Sequence, residues 1–285
     1  LVEQQAEQNP AQLAIEMAGK ALSYAELNAR ANRLAHDLLA QGTGPGSRIG
    51  ICMERSLMLA VSVLAILKTG AAYVPLDPHY PARRIRAMLT DAGVALVLTQ
   101  TVLRDTLPTD VRTVLLDGCE EPFDGDSAVV QNPPAAGESA YIIFTSGSSG
   151  RAKGVEQTHA GLSNLVQWQC RQPGLDRPAR TLQFASLSFD VSFQELFTTW
   201  AQGGTIVMLD EDERRDFTAL TRLLVTARIE RLFLPSAALQ PLAQAAGEAA
   251  SELRLRDVVV AGDQLTVSPA VRRLFQALPD ARLHN

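Results

Sequence analysis

The sequence predicts an α/β fold with largely parallel β-sheets flanked by helices. Short apolar runs alternate with amphipathic stretches over most of the 285 residues, the order expected of repeated βα units. Caps and breakers fall where those stretches change, at Gly42, Gly70, Pro81, Pro235 and the Ser268-Pro269 pair. The composition, 46% hydrophobic and 20% charged, is that of a globular chain able to bury a core.

Each element follows from a local pattern. Ser23-Tyr-Ala-Glu26 has the form of a capping box. Behind it Leu27, Ala31, Leu34, Ala35 and Leu38 share one helical face, and Gly42 supplies the stop. Residues 48–52 read as a strand, and 57–67 as an apolar helix ending near Gly70. Pro81 is placed to open another helix, with strands at 95–98 and 113–116. From 118 to 139 the periodicity fails among prolines and acids, so a surface connection or subdomain boundary is expected there. Strands are then predicted at 140–144, 181–185, 205–209, 231–234 and 257–260, with helices between them. One helix opens at Pro235 and another near Ser268-Pro269. There is no internal repeat and no low-complexity tract.

Several function classes drop out early. A net charge of −5 gives no reason to expect nucleic acid or an anionic membrane as a partner. No apolar run has membrane-spanning length, and no signal peptide is expected. Cys52, Cys119 and Cys170 are scattered without disulfide-like spacing, which suits a reducing cytoplasm. His36, His79, His159 and His284 form no cluster, so no structural metal is expected.

The chemistry concentrates in Tyr141-Ile-Ile-Phe-Thr-Ser-Gly-Ser-Ser-Gly-Arg-Ala-Lys-Gly-Val155. A β-forming run breaks into glycines and hydroxyls, followed by one lysine. Glycine lets backbone N–H groups approach a charged ligand, hydroxyls add donors and Lys153 adds a point charge. The segment reads as a phosphate loop, with a flexible Ser/Gly linker as the bland alternative. Its spacing is not that of a P-loop, where the lysine is followed by Ser or Thr. Nor is it a dinucleotide fingerprint, which needs Gly-x-Gly-x-x-Gly.

The stretch Thr145-Ser-Gly-Ser-Ser-Gly-Arg-Ala-Lys-Gly154 resembles the signature loop of the AMP-forming adenylating enzymes. That superfamily includes acyl-CoA ligases, luciferases and the adenylation domains of nonribosomal peptide synthetases. The family usually has proline before the lysine, where this chain has Ala152, a departure expected to loosen the loop without removing a contact. Three further stretches match the family in order: Leu22-Ser-Tyr-Ala-Glu-Leu27, Leu67-Lys-Thr-Gly-Ala-Ala-Tyr-Val-Pro-Leu-Asp77 and Phe189-Asp-Val-Ser192. Read alone, the first is a capped helix and the second a helix end running into a turn, and neither is assigned a catalytic role. Together they extend the resemblance over essentially the whole chain. It implies a layered αβαβα N-terminal core.

The resemblance also implies a reaction, in which a carboxylate attacks the α-phosphate of ATP and pyrophosphate leaves. Both reactants are anions, so catalysis must come from positioning and charge cancellation. Thr145, Ser146, Gly147, Ser148, Ser149, Gly150 and Lys153 are the expected phosphate-binding residues, with Thr145 and Lys153 in the catalytic role. Gly262 and Asp263 form the expected adenine-contacting turn. Mg²⁺ is expected as the counterion of ATP.

Substrate choice turns on Asp190. An Asp just before a helix can simply serve that helix's N-terminus. In the family, an acid after phenylalanine in this box pairs with a substrate α-ammonium, which acyl and aryl acids lack. The family's remaining substrate positions map onto Val191, Gln194, Phe233, Val259 and Ala261. Each apolar member alone reads as ordinary core. As a set they resemble the code of proline-activating domains, and a six-membered analogue or substituted proline fits the same chemistry.

The family's next box starts with Asn, which matches Asn285. Its Tyr-Gly-Pro segment, Mg²⁺-linked Glu, ribose-binding Asp and C-terminal lid domain with a catalytic lysine would lie beyond it. Residues 1–285 are therefore expected to be an incomplete N-terminal core, inactive alone. The leading expectation is amino-acid activation, best matched to L-proline, for transfer to a carrier-protein phosphopantetheine thiol. Peptidyl carrier and condensation domains would be its neighbours. An acyl- or aryl-CoA ligase and a non-catalytic scaffold module are the alternatives.

Overall fold

The computed structural model describes residues 1–117, 127–130, 135–145, 152–262 and 264–285. In chain order the strands are β1 (Leu13–Met17), β2 (Lys20–Ser23), β3 (Arg48–Cys52), β4 (Ala72–Pro75), β5 (Leu96–Thr99) and β6 (Thr113–Leu115). They continue with β7 (Ser139–Thr145), β8 (Lys153–Thr158), β9 (Arg180–Gln183), β10 (Thr205–Met208), β11 (Arg231–Pro235), β12 (Asp257–Ala261) and β13 (Arg282–His284). The helices are α1 (Val2–Gln8), α2 (Tyr24–Ala40), α3 (Leu57–Lys68), α4 (Ala82–Ala92) and α5 (His159–Gln169). Then come α6 (Val191–Ala201), α7 (Glu211–Arg215), α8 (Phe217–Thr226), α9 (Ser236–Ala246) and α10 (Pro269–Ala277). The expected α/β class holds.

The chain divides into two compact units. The first comprises residues 1–24, 166–185 and 191–285, and contains a seven-stranded sheet ordered β13-β12-β11-β9-β10-β1-β2. All its pairings are parallel except β1 with β2. That hairpin closes through Ala18 and Gly19, both at positive φ (48° and 79°), a two-residue turn whose twist suits antiparallel strands. Leu182, Leu232, Leu234, Val258 and Val260 turn to one face and pack with Leu220, Leu224, Leu239, Leu242, Val271 and Leu274 of α8, α9 and α10. Alternation puts Arg231 and Phe233, with their partners Asp257 and Val259, on the opposite face. The α6 helix packs against β9 and β10.

The second unit comprises residues 25–165 and 186–190, with a six-stranded sheet ordered β6-β5-β3-β4-β7-β8. It is parallel apart from the β7–β8 hairpin. In α4 the buried residues Ile85, Met88, Leu89 and Ala92 recur at helical spacing. They pack on Val74, Leu76, Val97, Ile142 and Phe144. The nearly all-apolar α3 is buried along Leu59 to Lys68, with Ser56 capping its start by accepting the Leu59 N–H at 3.2 Å.

Most predicted elements appear with ends shifted by a residue or two. The connection expected at 118–139 lies within the second unit, largely outside the described residues, and its last residue, Ser139, already belongs to β7. Two corrections concern the loop. Lys153 and Gly154, expected in the phosphate loop, are the first residues of β8, and the Lys153–Thr158 strand was not anticipated. Its residues from Lys153 to Gln157 are exposed, so it carries no apolar alternation to announce it.

Candidate functional site

Thr145 and Lys153 sit at the end of the β7–β8 hairpin where one strand passes into the next. The ladder runs Tyr141↔Gln157, Ile142↔Glu156, Ile143↔Val155, Phe144↔Gly154 and ends at Thr145↔Lys153. Both end residues are exposed, so hydroxyl and ammonium flank the mouth of the loop that joins them. Ser146, Gly147, Ser148, Ser149 and Gly150 lie outside the described residues, as does Asp263.

The hairpin is built to hold those flanks close. A Cβ on Gly154 would meet Ile142 Cγ2 at 2.9 Å and Phe144 Cζ at 3.5 Å. Packing therefore calls for glycine here. Ala152, where the family has proline, packs against the core of Val74, Leu76, Ile142 and Phe144.

Asp190 also belongs to the second unit. Helix α6 begins at Val191, so Asp190 immediately precedes it in the chain. The charge of Asp190 is felt by two phenols. Burial, and secondarily Asp190, pushes Tyr141 up to about 12. Tyr73 is raised well above the ordinary range by burial first, then by Tyr141 and Asp190. These tyrosines are cross-strand partners on β4 and β7, with ring centroids 5.6 Å apart. The Tyr73 hydroxyl is buried without a hydrogen-bond partner among the described residues.

The other predicted substrate residues lie in the first unit. Phe233 and Val259 are register partners on one sheet face; Phe233 is fully buried and Val259 partly exposed. At the carboxyl ends of these strands Ala261 and Gly262 are exposed, the side of an open α/β sheet where ligands bind. Gly262 adopts φ +106° with no atom near its would-be Cβ, so backbone conformation is what calls for glycine there. On α6, Val191 and Gln194 are one helical turn apart and both partly exposed. The structure thus places Val191, Gln194, Phe233, Val259 and Ala261 in one unit and Thr145, Lys153 and Asp190 in the other.

Three supporting residues escaped sequence reading. Glu195 is fully buried on α6, where its carboxylate accepts from the Phe184 and Ala185 N–H groups at 3.0 Å and from Gln183 Nε2 at 2.9 Å. It fastens the helix to the end of β9. The available signal was an acid between Phe193 and Leu196 on an apolar helix, which needs partners if buried. Arg231 and Asp257 form a buried pair, Nη2 to Oδ2 3.8 Å, on the same face as Phe233 and Val259. Arg231 also donates to Gln202 Oε1 (3.0 Å) and the Arg177 carbonyl (3.2 Å), while His284 meets Asp257 Oδ1 at 3.0 Å. Burial lowers the Arg231 pKa, opposed by the Asp257 charge. Among the described residues no group of His, Cys, Asp and Glu is arranged to hold a metal, and no helix is long and apolar enough to cross a membrane.

The sequence pattern described as AMP-binding enzyme matches residues 2–285. The chain belongs to the AMP-binding enzyme family. Within it, the chain is 40% identical over 279 residues to one of the linear gramicidin synthase proteins of Brevibacillus parabrevis, covering 96% of this chain and 5% of that protein. It is 35% identical over 287 residues to tyrocidine synthase 3 of the same organism, covering 100% of this chain and 4% of that protein. The chain thus spans only a small part of these relatives. Among solved structures, the AMPPNP-bound form of the nonribosomal peptide synthetase FmoA3 superposes with a TM-score of 0.89 at 30% identity, covering 99% of this chain and 30% of that one. The Klebsiella oxytoca NpsA N-terminal subdomain in complex with 3-hydroxybenzoyl-AMSN gives 0.82 at 25%, covering 99% and 69%. The fold of this AMP-binding chain is that of the N-terminal subdomain of adenylating enzymes.

Proposed function

We propose that this chain is the N-terminal core of a nonribosomal peptide synthetase adenylation domain that activates an amino acid, with L-proline as the best-matched substrate. The substrate carboxylate attacks the α-phosphorus of ATP, pyrophosphate leaves, and an aminoacyl adenylate remains. A phosphopantetheine thiol on a carrier domain then takes the aminoacyl group, releasing AMP. Thr145 and Lys153, with Ser146 to Gly150 between them, neutralise and position the departing phosphates. Mg²⁺ would accompany ATP as the counterion of its phosphates. Gly262 and Asp263 contact the adenine. Carrier and condensation domains of the same cytoplasmic synthetase are the proposed neighbours.

The observation that carries the amino-acid reading is Asp190. It directly precedes α6 in the chain, and its charge acts on Tyr141 and Tyr73. An acid so placed is available to pair with a substrate ammonium. Phe233, Val259, Val191 and Ala261 supply the compact apolar contacts that a pyrrolidine ring needs. ATP–pyrophosphate exchange by the intact protein across the amino acids tests this reading. Proline should rank first, and Asp190→Ala should abolish exchange. If proline ranks below several others, the substrate assignment is wrong.

A second reading, activation of an aryl or acyl acid, draws on the 3-hydroxybenzoyl-AMSN complex of the NpsA subdomain. Such acids carry no ammonium, so Asp190→Ala would leave their activation intact.

A further inference from the structure

Gln169, the last residue of α5, is buried at 2% exposure. Its amide bridges two groups on α6. The Gln169 Nε2 donates to Thr198 Oγ1 at 3.0 Å, and Gln194 Nε2 donates to Gln169 Oε1 at 2.9 Å. The Thr198 hydroxyl in turn donates to the Gln194 backbone carbonyl at 2.5 Å, closing a ring.

This ring has a definite direction, set by donor and acceptor inventory. A backbone carbonyl only accepts, so the single hydroxyl hydrogen of Thr198 is committed to Gln194. The oxygen of Thr198 is then an acceptor toward Gln169, which must present its NH₂ group. The opposite end of Gln169 is a carbonyl, which obliges Gln194 to present its own NH₂. What Gln194 keeps for other contacts is its Oε1, which accepts no hydrogen bond from the described residues.

We infer that Gln169 and Thr198 are positioning residues that lock the Gln194 side chain with its carbonyl oxygen outward, and so tune amino-acid selection. The inference rests on the proposed reading of Gln194 as a substrate-facing residue. A fixed carbonyl presents partial negative charge, which tolerates the positively polarised edge of a prolinium ring and disfavours side chains carrying a carboxylate. Without the relay, Gln194 can rotate or flip its amide, and the substrate site loses both shape and polarity.

The test is steady-state ATP–pyrophosphate exchange in the intact protein, with KM for amino acid and for ATP measured separately. Gln169→Leu and Thr198→Val should each raise the amino-acid KM about tenfold, the cost of losing one oriented hydrogen-bonding group. The KM for ATP should stay unchanged, and exchange with aspartate and glutamate should rise relative to proline. Thr198→Ser, which keeps the hydroxyl, should behave as the parent. A Gln169→Leu, Gln194→Leu double variant should be no worse than Gln194→Leu alone, because both act through the same side chain. If Gln194→Leu alters amino-acid KM while Gln169→Leu and Thr198→Val do not, the relay is wrong and the reading of Gln194 stands. If Gln194→Leu itself changes nothing, that reading fails and this inference with it. Should Gln169→Leu not fold, the near-isosteric Thr198→Val set against Thr198→Ser decides the matter.

Discussion

Thr145 and Lys153 face each other as the terminal pair of the β7–β8 ladder, so strand pairing sets a hydroxyl-bearing and an ammonium-bearing residue opposite each other at the two ends of a single loop. The backbone of this lysine is fixed by the ladder, and its side chain reaches from that point. It can act on a phosphate only where that phosphate meets the loop.

Lys153→Ala is therefore expected to lower the exchange rate by about a hundredfold, the usual cost of deleting one preorganised electrostatic contact. Amino-acid KM should move by less than about twofold, since the ammonium is assigned to phosphate alone. Equal losses in rate and amino-acid affinity would contradict the phosphate role.

Gly154 tests the hairpin independently of chemistry. Gly154→Ala drives a methyl into Ile142 Cγ2 and should cost about 1–3 kcal/mol. Thermal unfolding should fall by about 2–4 °C for each kcal/mol lost in a chain this size. Adding Ile142→Leu, which removes the offending branch, should restore part of the loss; no recovery would place the strain elsewhere.

Tyr141 predicts a pH dependence. Its pKa is raised in the fold from an ordinary 10.0 to about 12. The folded state therefore holds this proton more tightly than the unfolded state, and the associated stability is complete below about pH 10. It is lost as pH climbs toward about 12. Tyr141→Phe should flatten the fall in urea midpoint between about pH 9 and about pH 11. The remaining fall reflects the similarly raised Tyr24 and Tyr73. Asp190→Asn should lower the Tyr141 midpoint seen by phenolate absorbance, and an unchanged midpoint would show that the two groups do not communicate.

Glu195 predicts a stability effect that chemistry does not. Glu195→Ala leaves the buried N–H of Phe184 and the part-buried N–H of Ala185 without their acceptor and should cost about 2–5 kcal/mol in chemical denaturation. Glu195→Gln keeps one acceptor oxygen and should cost less. Equal losses would mean that packing volume, not hydrogen bonding, holds this helix to the end of β9.

Elements carried by short apolar runs, or by apolar residues recurring at helical spacing, were legible from the sequence. The strands β3, β11 and β12 and the helices α3, α4 and α10 lie where the pattern placed them. Other elements carry no such pattern. The exposed β8 owes its strand form to hydrogen bonds with β7, and three-residue β13 is too short to show a period. The β1–β2 hairpin turns at Ala18-Gly19 rather than at a stronger turn pair such as Asn-Gly.

The loop composition, the order of the family's motifs and the acid at Asp190 are local facts, and the sequence by itself determined the family and the class of chemistry from them. Only the tertiary structure decided which strands share a sheet, that Gly154 is a packing residue, and that Glu195, Arg231 and Asp257 are buried with partners. It alone brought Gln169 and Gln194 together, although 25 residues separate them. The physical reason is that buried polar groups are defined by the donors and acceptors that meet them. Those partners come from distant parts of the chain, where no local pattern reaches.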